Sequence, residues 1–320
     1  MSKSILETIL EPGELRVVFQ PIFRIEGETR SVDSVEALIR GPRGTHFERA
    51  DILFDYVRRK KAEAAVDQAC IAAICDAAEL LPTGVRVNVN VHASTLGHNL
   101  GFADFLRRQV QKHSLGLERF TVELVEHAPT CNIPELMNNL TRLRDWGVRV
   151  ALDDVGAGQS NYRMMLDCHP DYFKLDAYFV RDLTSDPKRC AVVESVVALA
   201  NALDSAVVAE GVPSNEDLAH LEAIGVELAQ ANLLCPAIPL KQLLASDFFC
   251  DPAFGTPLPQ ETAEQTLPSG VESRVESGVE SRVESGVESR VHNSVQTSVQ
   301  SIDREHAFAK AAAASQSFYT

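Results

Sequence analysis

Side chains that can ligate metals or handle protons recur at or near the ends of short apolar runs in this sequence. They are Glu36, Asn90, Glu123, Asp153, Asp154, Lys174, Asp176, Glu210 and Gln230. If these runs are parallel strands of a barrel, their carboxyl ends converge on one face, where barrel enzymes build their active sites. We therefore expect these side chains to lie close together.

Each of these residues also has a purely structural explanation. A single aspartate after a strand is more often a helix cap or turn former than a metal ligand. Ordinary ion pairs, Glu36 with Arg40 and Lys174 with Asp176, are a further structural reading. Such explanations must be repeated for seven strands, however, and several acids crowded into one barrel mouth repel one another without cations. The constellation favours a metal site.

The chemistry of the candidate ligands indicates which metal the site binds. The ligands are carboxylate oxygens and one amide oxygen, and the nine histidines show no HxH or HExxH spacing. Hard oxygen ligands suit Mg²⁺ or Mn²⁺ and not Zn²⁺. The acids carry enough charge for two cations, and a pair of ions about 3.5–4 Å apart is the usual arrangement for phosphodiester cleavage. His92 is interpreted as a structural or supporting residue.

The elements that must position these residues alternate along the chain from about residue 15 to about residue 240. Eight candidate strands are LRVVFQPIF, SVEALIR, VRVNVNV, FTVELVE, VRVALDD, DYFKLD, AVVAEG and ELAQANLL. The clearest helical segments between them are 51–80, 134–146, 191–203 and 215–224, where apolar residues recur every three to four positions. This alternation favours a (β/α) barrel over separate small domains, with an open doubly wound sheet as the alternative.

The composition changes at about residue 251. We predict an N-terminal extension over residues 1–14, a barrel over 15–250 and a tail over 251–320. The tail contains the repeat VESRVESGVESRVESGVESR from Val271 to Arg290. One valine in every four residues cannot enclose a core, so the tail is predicted to be disordered, with a weak helix as the lesser alternative.

Charge and cysteine usage exclude some classes of protein. A formal net charge of −15 argues against a protein that coats nucleic acid, but it is compatible with a small anionic ligand bound through divalent metals. Seven scattered cysteines without a CxxC pair favour a reducing compartment. The N-terminus has no apolar core like that of a signal peptide, and no stretch has the length and apolarity of a membrane span. These features predict a cytoplasmic protein.

At the residues singled out above, the sequence resembles the EAL domain family. The matching strings, in the family's order, are FQPIF, VEALIR, VNVH, VELVE, VALDDVGAG, FKLDAYFV, VVAEGV and the glutamine of LAQANLL. The resemblance implies a modified TIM-like (β/α)8 barrel in which one strand is antiparallel. It also implies hydrolysis of cyclic di-GMP to linear pGpG by a water activated between two Mg²⁺ or Mn²⁺ ions, and a homodimer.

The resemblance assigns a role to each candidate residue. It implies a first metal held by Glu36, Asn90, Glu123 and Asp153. It implies a second metal held by Asp153, Asp154 and Glu210. By the same resemblance, Lys174 contacts the attacking water or the phosphate, and Gln230 completes the shell through water. For the mechanism, Glu210 is the candidate for managing a proton, and a role as metal ligand alone is equally consistent. Asp176 and Glu126 are supporting residues, and Gln20 and Arg40 contact the ligand.

Several positions depart from the family's pattern. Pro213 replaces a glutamate, Val125 replaces a threonine, and Val155 begins an altered loop, DDVGAGQSN. None of these changes removes a presumed metal ligand. A second hypothesis therefore stays beside the active enzyme, namely a weak or inactive domain that serves as a cyclic di-GMP receptor. A third hypothesis is an interaction protein that recruits a partner through the tail. A fourth is a barrel enzyme of other chemistry, such as a Mg²⁺ lyase.

Overall fold

The computed structural model describes residues 3–25, 30–125, 132–156 and 162–250. Nine strands form one sheet. They are β1 (Arg16–Arg24), β2 (Ser31–Arg40), β3 (Arg86–His92), β4 (Phe120–Val125), β5 (Arg149–Val155), β6 (Tyr172–Leu175), β7 (Ala206–Glu210), β8 (Leu228–Gln230) and β9 (Ile238–Pro239). All eight predicted strands are present, and within the described ranges the two-residue β9 is the one additional strand.

Pairing of the strands closes the sheet into a barrel. Strands β2 to β8 follow one another in chain order and are parallel, and β1 joins β8 to β2. Strand β1 is antiparallel to both of these neighbours, and its register places Gln20 opposite Glu36. The modified (β/α)8 barrel with one antiparallel strand is thus confirmed, and the open-sheet alternative is wrong.

Helices surround the barrel. They are α1 (Ile5–Ile9), α2 (Ala50–Lys60), α3 (Glu63–Ala78), α4 (Ala93–His98), α5 (Phe102–Lys112), α6 (Ile133–Asp145), α7 (Tyr162–Cys168), α8 (Ala177–Val180), α9 (Pro187–Ala202), α10 (Asn215–Ile224) and α11 (Leu240–Leu244). The segment predicted to be helical over 51–80 is divided into α2 and α3. The break is at Lys61, which adopts a left-handed conformation (φ 53°) that ends α2.

Alternating side chains along the strands separate an apolar face, which belongs to the main hydrophobic core, from a polar face. In β3, Val87, Val89 and Val91 are fully buried in the main hydrophobic core. Because successive strand residues point to opposite faces, Asn88 and Asn90 lie on the other face. The parallel register places Asn90 beside Glu123 of β4. Strand periodicity therefore brings polar side chains from neighbouring strands to one place.

The N-terminal residues also contribute to the core. Helix α1 begins with a capping box between Ser4 and Glu7, and Ile9 at its end is fully buried in the main core. The proposed boundary after residue 14 stays a prediction, as does the one at residue 250, since the tail lies outside the described residues. No helix in the described ranges combines the length and apolarity that crossing a bilayer requires.

Candidate functional site

Lys174 of β6 is the centre of a carboxylate cluster in the mouth of the barrel. Its Nζ atom lies 2.6 Å from Glu210 Oε1 and 2.7 Å from Glu123 Oε2. The distance from Nζ is 3.4 Å both to Glu36 Oε2 and to Asp153 Oδ1. The lysine side chain is only 2% exposed. One buried ammonium group therefore faces four carboxyl groups, which leaves an excess of negative charge whenever the acids are ionised.

Side-chain amides orient two of these acids. Asn90 Nδ2 donates to Glu36 Oε1, and Gln230 Nε2 donates to Glu36 Oε2, each over 2.6 Å. Asn88 Nδ2 donates to Glu123 Oε1 over 2.8 Å. Asn88 was not among the predicted site residues. The alternation in VNVNV places it on the same face of β3 as Asn90, and this was the available signal.

Burial and neighbouring charges shift the pKa values of these groups in different directions. Burial raises the pKa of Glu36, but the Lys174 charge and the hydrogen bonds from Gln230 and Asn90 outweigh it, so the pKa is lowered. For Glu123, burial and the Glu36 charge raise the pKa well above its usual value. Burial lowers the pKa of Lys174, yet the surrounding carboxylates raise it well above its usual range. The lysine therefore stays charged.

Three carboxyl groups at the edge of this cluster are suited to a cation. Oxygen atoms of Asp153, Asp154 and Glu210 all lie within 4.8 Å of one another. Gln230 Oε1 is buried and accepts no hydrogen bond from any described residue. Hard oxygen donors, a surplus of negative charge and an unsatisfied amide oxygen are the environment that Mg²⁺ or Mn²⁺ prefers. The acidic cluster can therefore hold a divalent metal.

The remaining predicted residues occupy different positions. Gln20 Oε1 accepts from Gln230 Nε2 over 3.2 Å, so Gln20 lies beside the cluster. Asp176 caps α8 by accepting from the Tyr178 amide over 2.7 Å, which matches the structural reading for a strand-end aspartate. The Arg40 guanidinium donates to the Ile39 carbonyl oxygen over 3.0 Å. The ion pairs of Glu36 with Arg40 and of Lys174 with Asp176, which were the structural alternative to a metal site, are not among the contacts of the described residues. Glu126 lies outside those residues.

His92 has the structural role expected of it. Its Nδ1 atom lies 2.9 Å from Asp67 Oδ1, and its backbone N–H donates to Asp67 Oδ2 over 3.1 Å. The Thr95 hydroxyl donates to the same Asp67 oxygen over 2.6 Å. All three residues are buried. This network ties the end of β3 to Asp67 of α3.

Two cavities flank the carboxylate cluster, and both are bordered by Glu36, Leu38 and Asp153. The first, of about 390 Å³, is further lined by residues that include Asp51, Phe54, Arg58, Cys70, Ile74 and His92. The second, of about 360 Å³, is further lined by residues that include Gln20, Lys174, Glu210, Gly211, Gln230 and Asn232. Glu36 and Asp153 of the cluster therefore lie at the border that the two cavities share.

Binding of a divalent metal is expected to release protons. Burial raises the pKa of Glu210 to about 8, Lys174 opposes this rise, and the charges of Asp153 and Glu36 add to it. Most of Glu210 is therefore protonated at pH 7 without metal, whereas a metal ligand must be ionised. We expect apparent Mg²⁺ or Mn²⁺ affinity to increase as the pH rises from 6 to 9. Calorimetric titrations in two buffers of different ionisation enthalpy measure the released protons.

The same shift has a consequence for stability. Because the folded-state pKa of Glu210 lies above its unfolded value, its stabilising effect is full below pH 4.5 and is lost as the pH rises through 8. Metal should therefore raise the melting temperature more at pH 8 than at pH 6. If metal binding released equal numbers of protons at pH 6 and at pH 9, the assignment of Glu210 as the group that loses the proton would be wrong.

Comparison with known proteins agrees with this geometry. The EAL domain family model matches residues 3–237. The cyclic di-GMP phosphodiesterase RocR of Pseudomonas aeruginosa is 33% identical over 168 residues, which are 52% of this chain and 43% of RocR. The chain spans less than half the length of the curated relatives it matches.

Solved structures share the fold. A structure of the MucR phosphodiesterase of Pseudomonas aeruginosa with c-di-GMP has a TM-score of 0.66 and 25% identity, over 74% of this chain and 97% of that one. BlrP1 of Klebsiella pneumoniae, in a complex with manganese and cyclic di-GMP, has a TM-score of 0.62 and 29% identity, over 70% of this chain and 56% of that one. With a family match over well more than half of its residues, the chain belongs to the EAL domain family.

Proposed function

We propose that this chain is a metal-dependent phosphodiesterase that hydrolyses cyclic di-GMP to linear pGpG. The observation that carries the proposal is the meeting of Lys174 with four predicted metal-ligating carboxyl groups in the barrel mouth. The substrate is proposed by analogy, since RocR is a cyclic di-GMP phosphodiesterase and the MucR and BlrP1 structures are complexes with cyclic di-GMP.

The proposed cofactor is a pair of Mg²⁺ or Mn²⁺ ions. Residues that would hold them are Glu36, Asn90, Glu123, Asp153, Asp154 and Glu210. Divalent ions of this kind supply positive charge at the phosphoryl group and a bound water of lowered pKa. The oxygen-rich donor set, without histidine or cysteine, supports Mg²⁺ or Mn²⁺ over Zn²⁺.

The chain's own residues position and stabilise the reacting groups. Lys174 keeps its charge because its pKa is raised, so its ammonium group is available to a phosphoryl oxygen on which negative charge develops. Glu210, with a metal-free pKa of about 8, is suited to holding a proton near neutral pH. Gln230 and Asn90 fix both oxygens of Glu36. Because water is the nucleophile, no covalent intermediate is required.

The two cavities suit a ligand with two bases. A cyclic dinucleotide carries one base on each side of its phosphodiester ring. The first cavity has the apolar side chains of Phe54, Cys70 and Ile74 among its lining residues, which a purine ring can contact. Placing one base there leaves a phosphodiester over the shared border at Glu36 and Asp153.

Direct assay of product tests the proposal. Purified chain with Mg²⁺ or Mn²⁺ should convert cyclic di-GMP to pGpG, detected by chromatography. Glu36→Gln should lower the rate at least about 100-fold because it removes a carboxylate that the site keeps ionised. Glu216→Gln, on the exposed first turn of α10, is the matched control and should retain the wild-type rate.

Other outcomes of this assay are equally informative. Binding of cyclic di-GMP without pGpG formation would favour the receptor, and Pro213 and Val155 would then be the first residues to revert. Neither binding nor turnover would refute both functions. A cytoplasmic location, homodimerisation and a protein partner for the tail stay predictions.

A further inference from the structure

Arg58 of α2 borders the first cavity, which Glu36 and Asp153 of the carboxylate cluster also line. Among the described residues that line this cavity, it is the one arginine or lysine. The acids there are Glu36, Asp51, Asp67 and Asp153. The proposed metal site does not use this positive group. We therefore consider a role for it in recognition of the ligand.

The hydrogen-bonding capacity of Arg58 is largely unused. Its Nη2 atom lies 3.6 Å from Asp55 Oδ1, which is beyond hydrogen-bond distance. The neighbouring Arg59 takes the other Asp55 oxygen at 2.8 Å. Within the described ranges, the Arg58 guanidinium makes no hydrogen bond, although its side chain is only 35% exposed. A guanidinium has five N–H donors and no acceptor.

The surroundings of Arg58 favour a base over a phosphate. Leu38, Phe54 and Ile74 give the first cavity an apolar lining that suits a flat ring. Lys174 and Glu210, which the proposed function places at the phosphoryl group, border the second cavity, and Arg58 does not. Guanine presents two acceptors, O6 and N7, on one edge and matches a donor-only guanidinium. Adenine presents an amino donor beside N7 and does not match.

We propose that Arg58 is a specificity-determining residue that donates to O6 and N7 of one guanine base in the first cavity. The inference rests on the proposed function, since it assumes that a cyclic dinucleotide occupies the site. It goes further by assigning base selection to a residue outside the carboxylate cluster.

Steady-state hydrolysis of cyclic di-GMP, together with inhibition by cyclic di-AMP, tests the assignment. Arg58→Ala should raise KM for cyclic di-GMP about 10- to 100-fold with little change in kcat, the loss associated with one bidentate base contact. The inhibition constant of cyclic di-AMP should stay within about twofold, so discrimination between the two dinucleotides should fall about tenfold or more. Arg58→Lys should recover only part of the affinity because lysine lacks the planar fork.

Arg59→Ala is the matched control. Arg59 carries the same charge and pairs with the same Asp55, but its side chain is 77% exposed and it does not border the cavity. Its KM should be that of the wild type. Equal weakening of both dinucleotides by Arg58→Ala would overturn the proposal in favour of general attraction of anions. Wild-type KM in Arg58→Ala would overturn it too, with the phosphodiesterase assignment intact. An inactive wild-type chain that binds no cyclic di-GMP would overturn both.

Discussion

Replacing Lys174 with methionine is expected to lower cyclic di-GMP turnover at least about 1000-fold and to destabilise the metal-free chain by about 3–5 kcal/mol. The methionine retains the approximate length and the apolar stem of the side chain but removes the ammonium group that contacts Glu36, Glu123, Asp153 and Glu210. Uncompensated carboxylates then remain buried together.

The pH dependence of this destabilisation follows from the same contacts. Without the ammonium group, the pKa values of Glu123 and Glu210 rise further above their usual values, and Glu36 loses the positive charge that lowers its pKa. An acid with a raised folded-state pKa stabilises the fold at low pH, and this stabilisation is lost as the pH rises through that pKa. The variant should therefore be closer to wild type in stability at pH 5 than at pH 8. Urea unfolding at both values, without metal, measures the difference.

Metal addition separates the two effects of the substitution. Mg²⁺ or Mn²⁺ should restore much of the lost stability at pH 8 because the cations replace the missing positive charge, whereas turnover should stay low. Lys188→Met, at an exposed position of α9, is the matched control and should change neither property. If Lys174→Met were as stable as wild type at pH 8 without metal, the electrostatic account of the cluster would be wrong.

The meeting of polar residues at the strand ends could be predicted from the sequence because two features agree: the apolar pattern of the strands and the positions of the polar residues along them. Apolar alternation located the strands, and the convergence of parallel strand ends predicted that Glu123, Asp153, Lys174 and Glu210 would meet. The structure brings these four together. Closure of the barrel was not readable from periodicity, since pairing of β1 with both β2 and β8 is a long-range property.

Contacts between side chains were much harder to predict. The role of Asn88 depends on the register of β3 against β4, which residue spacing alone does not determine. Lys61 ends α2 in a left-handed conformation that apolar spacing does not signal. The position of Arg58 at the first cavity depends on where α2 lies relative to β2 and α3, whose residues line the same cavity. Asp176 shows the converse, because a strand-end acid serves as a helix cap.

Replacing Glu210 with glutamine is expected to abolish measurable pGpG formation, a loss of at least about 1000-fold, while the metal-free fold is preserved. Glutamine has the shape of the protonated acid, and the raised pKa makes that form predominant at pH 7. Its amide oxygen can still accept from the Lys174 ammonium group. The metal-free melting temperature at pH 7 should therefore stay within about 2 °C of wild type, in contrast to Lys174→Met.

The same substitution should impair metal binding, because an amide cannot supply the negative charge of a carboxylate beside Asp153 and Asp154. We expect Mn²⁺ to raise the melting temperature of the variant less than that of the wild type. The number of protons released on metal binding should fall by nearly one per chain. Glu194→Gln, at an exposed position of α9, should leave both quantities unchanged. Full metal binding with lost turnover would restrict Glu210 to proton transfer. Full turnover would remove it from the active site, since neither role tolerates the loss of its carboxylate.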